Sequence, residues 1–163
     1  IRASERTFQL IAQVAGRTGR SDRGGRVLVQ SACPDDPAIR LACNHDYAGF
    51  VVHELAHRRA TLTPPFTSLA RVILRSPDEA AVAELARGVA EVLRRLQPDP
   101  PPVRILGPAP APISRVKNYY RFHLQLAAET SEVIRELWLS AASELPKHSS
   151  VELVIDVDPL NLR

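Results

Sequence analysis

Apolar residues return at helical spacing through Phe8, Ile11, Ala12 and Ala15, and with Ser4 placed to cap the start this predicts an amphipathic helix from about Glu5 to Ala15. Gly16-Arg17-Thr18-Gly19-Arg20 ends it, because glycine lets the backbone turn sharply. The consecutive apolar positions of Arg26-Val27-Leu28-Val29-Gln30 predict a short covered strand, broken off by Pro34 and Pro37. From Ala38 to about Thr61 helical spacing resumes through Phe50, Val51, Leu55 and Ala56, giving one long helix or two broken ones. Thr63-Pro64-Pro65-Phe66 forbids helix continuation and predicts a boundary between a segment 1–62 and a domain 63–163.

Beyond that boundary the period alternates between two and 3.6. Leu69, Arg71 and Ile73 alternate with Ala70, Val72 and Leu74, which predicts a strand from Ser68 to Arg75 with much of both faces covered. Pro77-Asp78-Glu79 opens a helix that continues from Ala80 to Leu96 through Val82, Leu85, Val89 and Leu93. A proline-rich linker, Gln97 to Pro102, leads to a second strand over Val103 to Leu106 and then to the turn Gly107-Pro108-Ala109-Pro110-Ala111-Pro112-Ile113. Tyr120 to Leu126 alternates cleanly as a third strand, Ser131 caps a helix running to Leu145, and Val151 to Val157 is the last strand. The order β-α-β-β-α-β predicts a ferredoxin-like α+β domain, with both helices packed on one four-stranded antiparallel sheet.

Composition agrees with a globular chain. Across 163 residues, 45% are hydrophobic and 24% charged, which excludes collagen, long coiled coil and full disorder. No apolar run reaches the ~18 to 20 residues that cross a bilayer, so no membrane contact is expected. The chain lacks Met and opens on Ile1-Arg2-Ala3, which reads as a piece of a longer polypeptide. The net charge of +3 hides an uneven distribution. Six Arg stand against Glu5 and Asp22 up to Arg26, and Arg104, Arg115, Lys117 and Arg121 have no acid among them from Pro101 to Ala128. The tail from Glu129 carries seven acids against Arg135, Lys147 and Arg163. Two basic tracts imply polyanion contact at two places rather than over a general cationic surface.

The string Gln13-Val14-Ala15-Gly16-Arg17-Thr18-Gly19-Arg20, Q-x-x-G-R-x-G-R, places two arginines three apart at a glycine-broken helix end. Planar, permanently charged guanidinium groups there can reach a triphosphate and stabilise the charge of a phosphoryl-transfer transition state. The plain alternative is a solvated basic turn. In the second tract, Arg115, Lys117, Tyr119 and Arg121 mix cations with aromatic rings, as surfaces for single-stranded or forked DNA do. Equally, Tyr120 and Phe122 are ordinary sheet residues and the cations guard a strand edge.

His53-Glu54-Leu55-Ala56-His57 matches H-E-x-x-H, the arrangement of a zinc metallohydrolase, but no third histidine follows, and only Asp78, Glu79 or Glu84 is available as a distant acid. Cys33 and Cys43 have no CxxC spacing and read as buried small residues of a cytosolic protein. Asp156 and Asp158 read as a strand-end turn rather than a Mg²⁺ site, and His45-Asp46 and Trp138 as structural.

Arg6-Thr7-Phe8-Gln9-Leu10 running into Gln13 to Arg20 resembles motif VI of superfamily 2 helicases, and in particular the family of primosomal replication-restart DNA helicases. The same family's pattern is resembled, in order, by His45-Asp46-Tyr47 with Gly49-Phe50, by Glu54-Leu55-Ala56 with Arg58-Arg59, by Pro64-Pro65-Phe66, by the turn from Gly107 to Ile113, and by Ile155-Asp156-Val157-Asp158-Pro159-Leu160. The resemblance implies a 3′ to 5′ ATP-dependent DNA helicase that recognises forks and reloads the replicative machinery in the bacterial cytoplasm, associated with the nucleoid. Segment 1–62 would be the end of the second RecA-like helicase lobe, with Gln13, Gly16, Arg17 and Arg20 facing the nucleotide and Arg17 and Arg20 as the catalytic pair. Domain 63–163 would resemble a ribosomal small-subunit protein in fold and contact forked or single-stranded DNA, single-stranded DNA-binding protein and other primosome proteins. ATP and Mg²⁺ would act in the full-length protein, and the family's zinc ligands would lie upstream. The isolated fragment is therefore expected to be inactive and to hold no metal of its own.

Overall fold

Ala3–Thr18 forms the first helix, α1, of a computed structural model that describes residues 2–18 and 26–159. These residues fall into two compact units, one up to Leu62 and the other from Thr63 onward.

The first unit is helical. α1 runs through Gly16 to Thr18 instead of ending near Ala15. A Cβ at Gly16 would meet nothing within 4 Å, so this glycine marks no crowded turn. Its cost is limited to ~1 kcal/mol of helix propensity. Pro37–Cys43 forms α2 and Tyr47–Ala60 forms α3, two helices rather than one long one. The break has two causes: Asn44 ends α2, and Asp46 starts α3 by accepting the Gly49 N–H at 2.8 Å. His45 between them sits at φ 54, in the left-handed region. Phe8, Ala38, Ala42 and Phe50 are the small core, with the Phe8 and Phe50 rings stacked at 4.4 Å.

Two further expectations fail in this unit. Arg26 to Gln30 forms no strand and Leu28 is 95% exposed. A strand needs a neighbour to take its backbone hydrogen bonds, and among the described residues this unit contains none. Cys33 and Cys43 are exposed rather than buried. Ala38 and Ala42, four apart, take the inward stripe of α2, and Cys43 falls one position, about 100°, around the helix from it.

The second unit has the predicted order. Strand β1 (Ser68–Ser76) is followed by α4 (Glu79–Arg95), β2 (Arg104–Val116), β3 (Tyr119–Ala128), α5 (Ser131–Ala141) and β4 (Glu152–Val157). The sheet order is β2-β3-β1-β4 with every neighbour antiparallel, the split βαβ arrangement. Period-two alternation sends Ala70, Val72 and Leu74 of β1 and Leu124, Leu126 and Ala128 of β3 to one face, where they bury Val82, Val89 and Leu93 of α4 and Ile134 and Ala141 of α5. Asp78 caps α4 by accepting the Ala80 and Ala81 N–H groups. Ser131 is the first residue of α5 rather than its cap, and that helix stops at Ala141, short of Leu145. At its start, the Glu132 carboxyl lies below the usual range because its own backbone N–H, and then the Thr130 hydroxyl, donate to it.

The proline-spaced segment is the main departure. It is no turn between strands but the middle of β2, which runs for 13 residues along the edge of the sheet. Edge strands accept proline because only one side must donate to a ladder, and register shifts after Leu106 and after Pro110 absorb the irregularity. Gly107 is required at the first shift, at φ 95, where a Cβ would come within 2.8 Å of the His123 carbonyl oxygen. The chain reverses instead at Lys117-Asn118, with φ 48 and 68, joining Val116 directly to Tyr119 across the hairpin. Two consecutive positive φ values are the signature of a type I′ turn, whose twist matches the flanking strands.

Candidate functional sites

In the first unit, Gln13, Gly16 and Arg17 lie in the last turns of α1 and all three are exposed. Gln13 and Arg17 are four apart, so they share one helix face one turn from each other. Arg17 also stands in the final turn, where the helix dipole favours a cation. Arg20, the second arginine of the string, lies outside the described residues.

The H-E-x-x-H segment is differently employed. His53 and His57 are exposed on α3, while Glu54, the base in a metallohydrolase, is 8% exposed and accepts from Arg58 Nε at 2.8 Å. Arg58 Nη2 lies 2.8 Å from Glu54 and 2.9 Å from Glu5 of α1, so one guanidinium bridges two acids. Asp78 is committed to its cap and Glu79 and Glu84 lie along α4. Among the described residues no three His, Cys, Asp or Glu side chains gather as a metal site. Asp158 likewise serves the backbone, its Oδ1 accepting the Leu69 N–H.

In the second unit, the helix-free face of the sheet gathers Arg71, Arg75 and His123, not singled out from the sequence, around Arg121, which was. The register sets Arg71 opposite Gln125, Ile73 opposite His123, and Arg75 opposite Arg121, all on the face away from α4 and α5. Arg75 donates from Nε to Glu152 Oε2 at 2.8 Å, and Arg71 Nη2 is 3.9 Å from Asp156, both acids lying on β4. Arg121 donates to the Ile113 carbonyl, with no acid paired to it among the described residues. The signal was present in the Arg71 and Arg75 positions of β1, four apart and therefore on one side of a strand.

The predicted tract divides between the turn and this face. Arg115 and Lys117 are exposed at the hairpin, Arg115 lying 5.1 Å over the Tyr120 ring and bonding Asn118 Oδ1. Tyr119 and Arg121 are half-buried on β3, with the Arg75 guanidinium 5.6 Å from the Tyr119 ring. Tyr120 and Phe122 pack against the core, as ordinary sheet residues do.

His123 lies among these cations. Its pKa is pushed below the ordinary 6.5, first by burial and then by the Arg71 and Arg121 charges, and its Nδ1 has no hydrogen-bond partner among the described residues. The unfolded chain therefore binds this proton at a higher pH than the folded one, and stability falls as pH drops through 6.5 toward the folded value. Thermal unfolding across that range is expected to show the loss, and His123→Gln is expected to flatten it.

A four-stranded antiparallel sheet with two helices on one face and a cationic open face defines the second unit as a ferredoxin-like α+β domain. The chain belongs to the family of the primosomal protein N C-terminal domain, whose family model matches residues 59–160. Three curated relatives, each a replication restart protein PriA, come from Bacillus subtilis (35% identical, 97% of this chain), Synechocystis (35%, 99%) and Rickettsia conorii (36%, 98%). The chain spans only 20%, 19% and 24% of those proteins, matching their C-terminal part. Among solved structures, the de novo designed protein Foldit4 overlaps 55% of this chain, and 96% of itself, at a TM-score of 0.37 and 18% identity.

Proposed function

We propose that this chain is the C-terminal part of an ATP-dependent 3′ to 5′ DNA helicase that restarts replication at forks. The observation that carries the reading is the similarity to replication restart proteins over nearly the whole chain, from the arginine string to the last strand. In this reading residues 1–62 close the second RecA-like lobe, and Gln13, Gly16, Arg17 and Arg20 form its nucleotide-facing motif VI. The exposed Arg17 at a helix end suits a polyphosphate: it is always charged and has planar donors for phosphate oxygens. In this reading ATP with Mg²⁺ would be the nucleotide that these residues face in the full-length protein.

Residues 63–163 act as the nucleic-acid and partner-binding domain. Arg115, Lys117, Tyr119 and Arg121 contact forked or single-stranded DNA, and the same domain meets single-stranded DNA-binding protein and other primosome proteins. The protein works in the cytoplasm at the nucleoid; no described helix is long and apolar enough to cross a membrane. Unwinding of a forked substrate by the full-length protein tests the reading. ATP-dependent strand displacement with 3′ to 5′ polarity is expected, and a protein that neither hydrolyses ATP in response to DNA nor displaces a strand would contradict it.

A further inference from the structure

We propose that the helix-free face of the second unit's sheet seats one unpaired nucleotide of single-stranded DNA, its base in a concavity beside the hairpin and its flanking phosphates on Lys117 and Arg121. The inference rests on the reading that this unit contacts DNA, and deepens it from a charged tract to a defined seat.

The concavity draws its lining from all four strands of the sheet. Ile73 of β1 and Val154 of β4, direct neighbours in the register, make an apolar floor. Val116 and Tyr119, the closing pair of the hairpin, make an apolar and aromatic wall. Arg75, Lys117 and Arg121 stand around it with a single acid, Glu152. An exposed apolar floor is costly to leave in water, and Val154 and Val116 are 54% and 41% exposed. A flat, weakly hydrated aromatic base suits such a floor, and its phosphates suit the surrounding cations.

Charge and hydrogen bonding select among anions. Arg75 engages only Oε2 of Glu152, so Oε1 can accept the exocyclic amine of a base, the role carboxylates take toward cytosine. A peptide carboxylate could pair with the cations but brings no flat ring to cover the apolar floor. A duplex keeps its bases stacked and offers the floor nothing but backbone. The turn supports the placement: with Lys117 and Asn118 both at positive φ, the type I′ geometry fixes the hairpin tip beside the concavity.

Fluorescence anisotropy of the 163-residue chain with a labelled oligo-dC strand and a blunt duplex tests the seat. Val154→Glu and Val116→Glu place a carboxylate at the floor and at the wall, each at an exposed position, so one serves if the other fails to fold. Each is expected to weaken single-strand binding roughly tenfold, the scale of losing one stacked base, and to weaken duplex binding distinctly less. Lys117→Ala/Arg121→Ala is expected to weaken both. If both DNAs bind and neither glutamate variant changes the single strand, the seat is overturned while the DNA contact stands. If the wild-type chain binds neither DNA, the underlying reading fails as well. Binding of a poly-glutamate peptide that the same variants abolish, with the single strand unaffected, would assign the concavity to acidic peptides and also overturn the proposal.

Discussion

Arg17→Ala in the full-length protein is expected to lower DNA-stimulated ATP hydrolysis about a thousandfold or more, the scale of losing an arginine that stabilises a phosphoryl-transfer transition state. The loss corresponds to ~4 kcal/mol of barrier. Arg17 is exposed on the last turn of α1, and its side chain makes no ion pair among the described residues. Its removal should therefore leave unfolding and fork affinity near those of the unmodified protein. Arg17→Lys is expected to recover little, because an ammonium is a point charge without the planar fork that matches phosphate oxygens. Steady-state hydrolysis at saturating fork DNA reads the effect, and an Arg17→Ala protein with unreduced turnover would remove this residue from the nucleotide site.

The second large effect is on stability. Arg58→Ala is expected to destabilise the helical unit by about 3–5 kcal/mol, the usual cost of breaking a buried ion pair from one side. The Arg58 side chain is 10% exposed and holds Glu54, 11% exposed, and Glu5, 31% exposed, thereby tying α3 to α1. Without it, the Glu5 and Glu54 carboxylates lose the guanidinium that both contact, in a partly dry setting. The double variant Glu54→Leu/Arg58→Met should recover most of the loss, since well-packed apolar groups replace such pairs at little cost. Hydrogen exchange of the α1 and α3 amides in the 163-residue chain separates this unit from the sheet domain. Unchanged protection in Arg58→Ala would show that the bridge contributes nothing.

Much of the second unit was legible because period and topology agreed. Ala70, Val72 and Leu74 alternate and Val82, Val89 and Leu93 recur at helical spacing, and these residues form the core. The prolines between Gly107 and Ile113 misled, because proline reads as a loop unless the strand is known to lie at an edge, and edge position is a property of the whole sheet. The same limit hid the open face. Arg75 and Arg121 meet only through a register that pairs residues 46 apart, and Val154 reaches Ile73 only through β4. In the first unit, Arg26 to Gln30 has strand chemistry and no strand partner, and composition cannot supply one. The arginine string stood out in the sequence by its residue types, and α1 carries it as helix rather than loop through Arg17.

Salt titration of fork binding tests the central claim that the second unit's cations hold DNA. For the 163-residue chain, log affinity is expected to fall linearly with log salt, and Arg115→Ala/Lys117→Ala/Arg121→Ala is expected to reduce that slope by about two to three, one phosphate contact for each cation removed. Fork binding with no salt dependence, or a slope unchanged in the triple variant, would contradict the account.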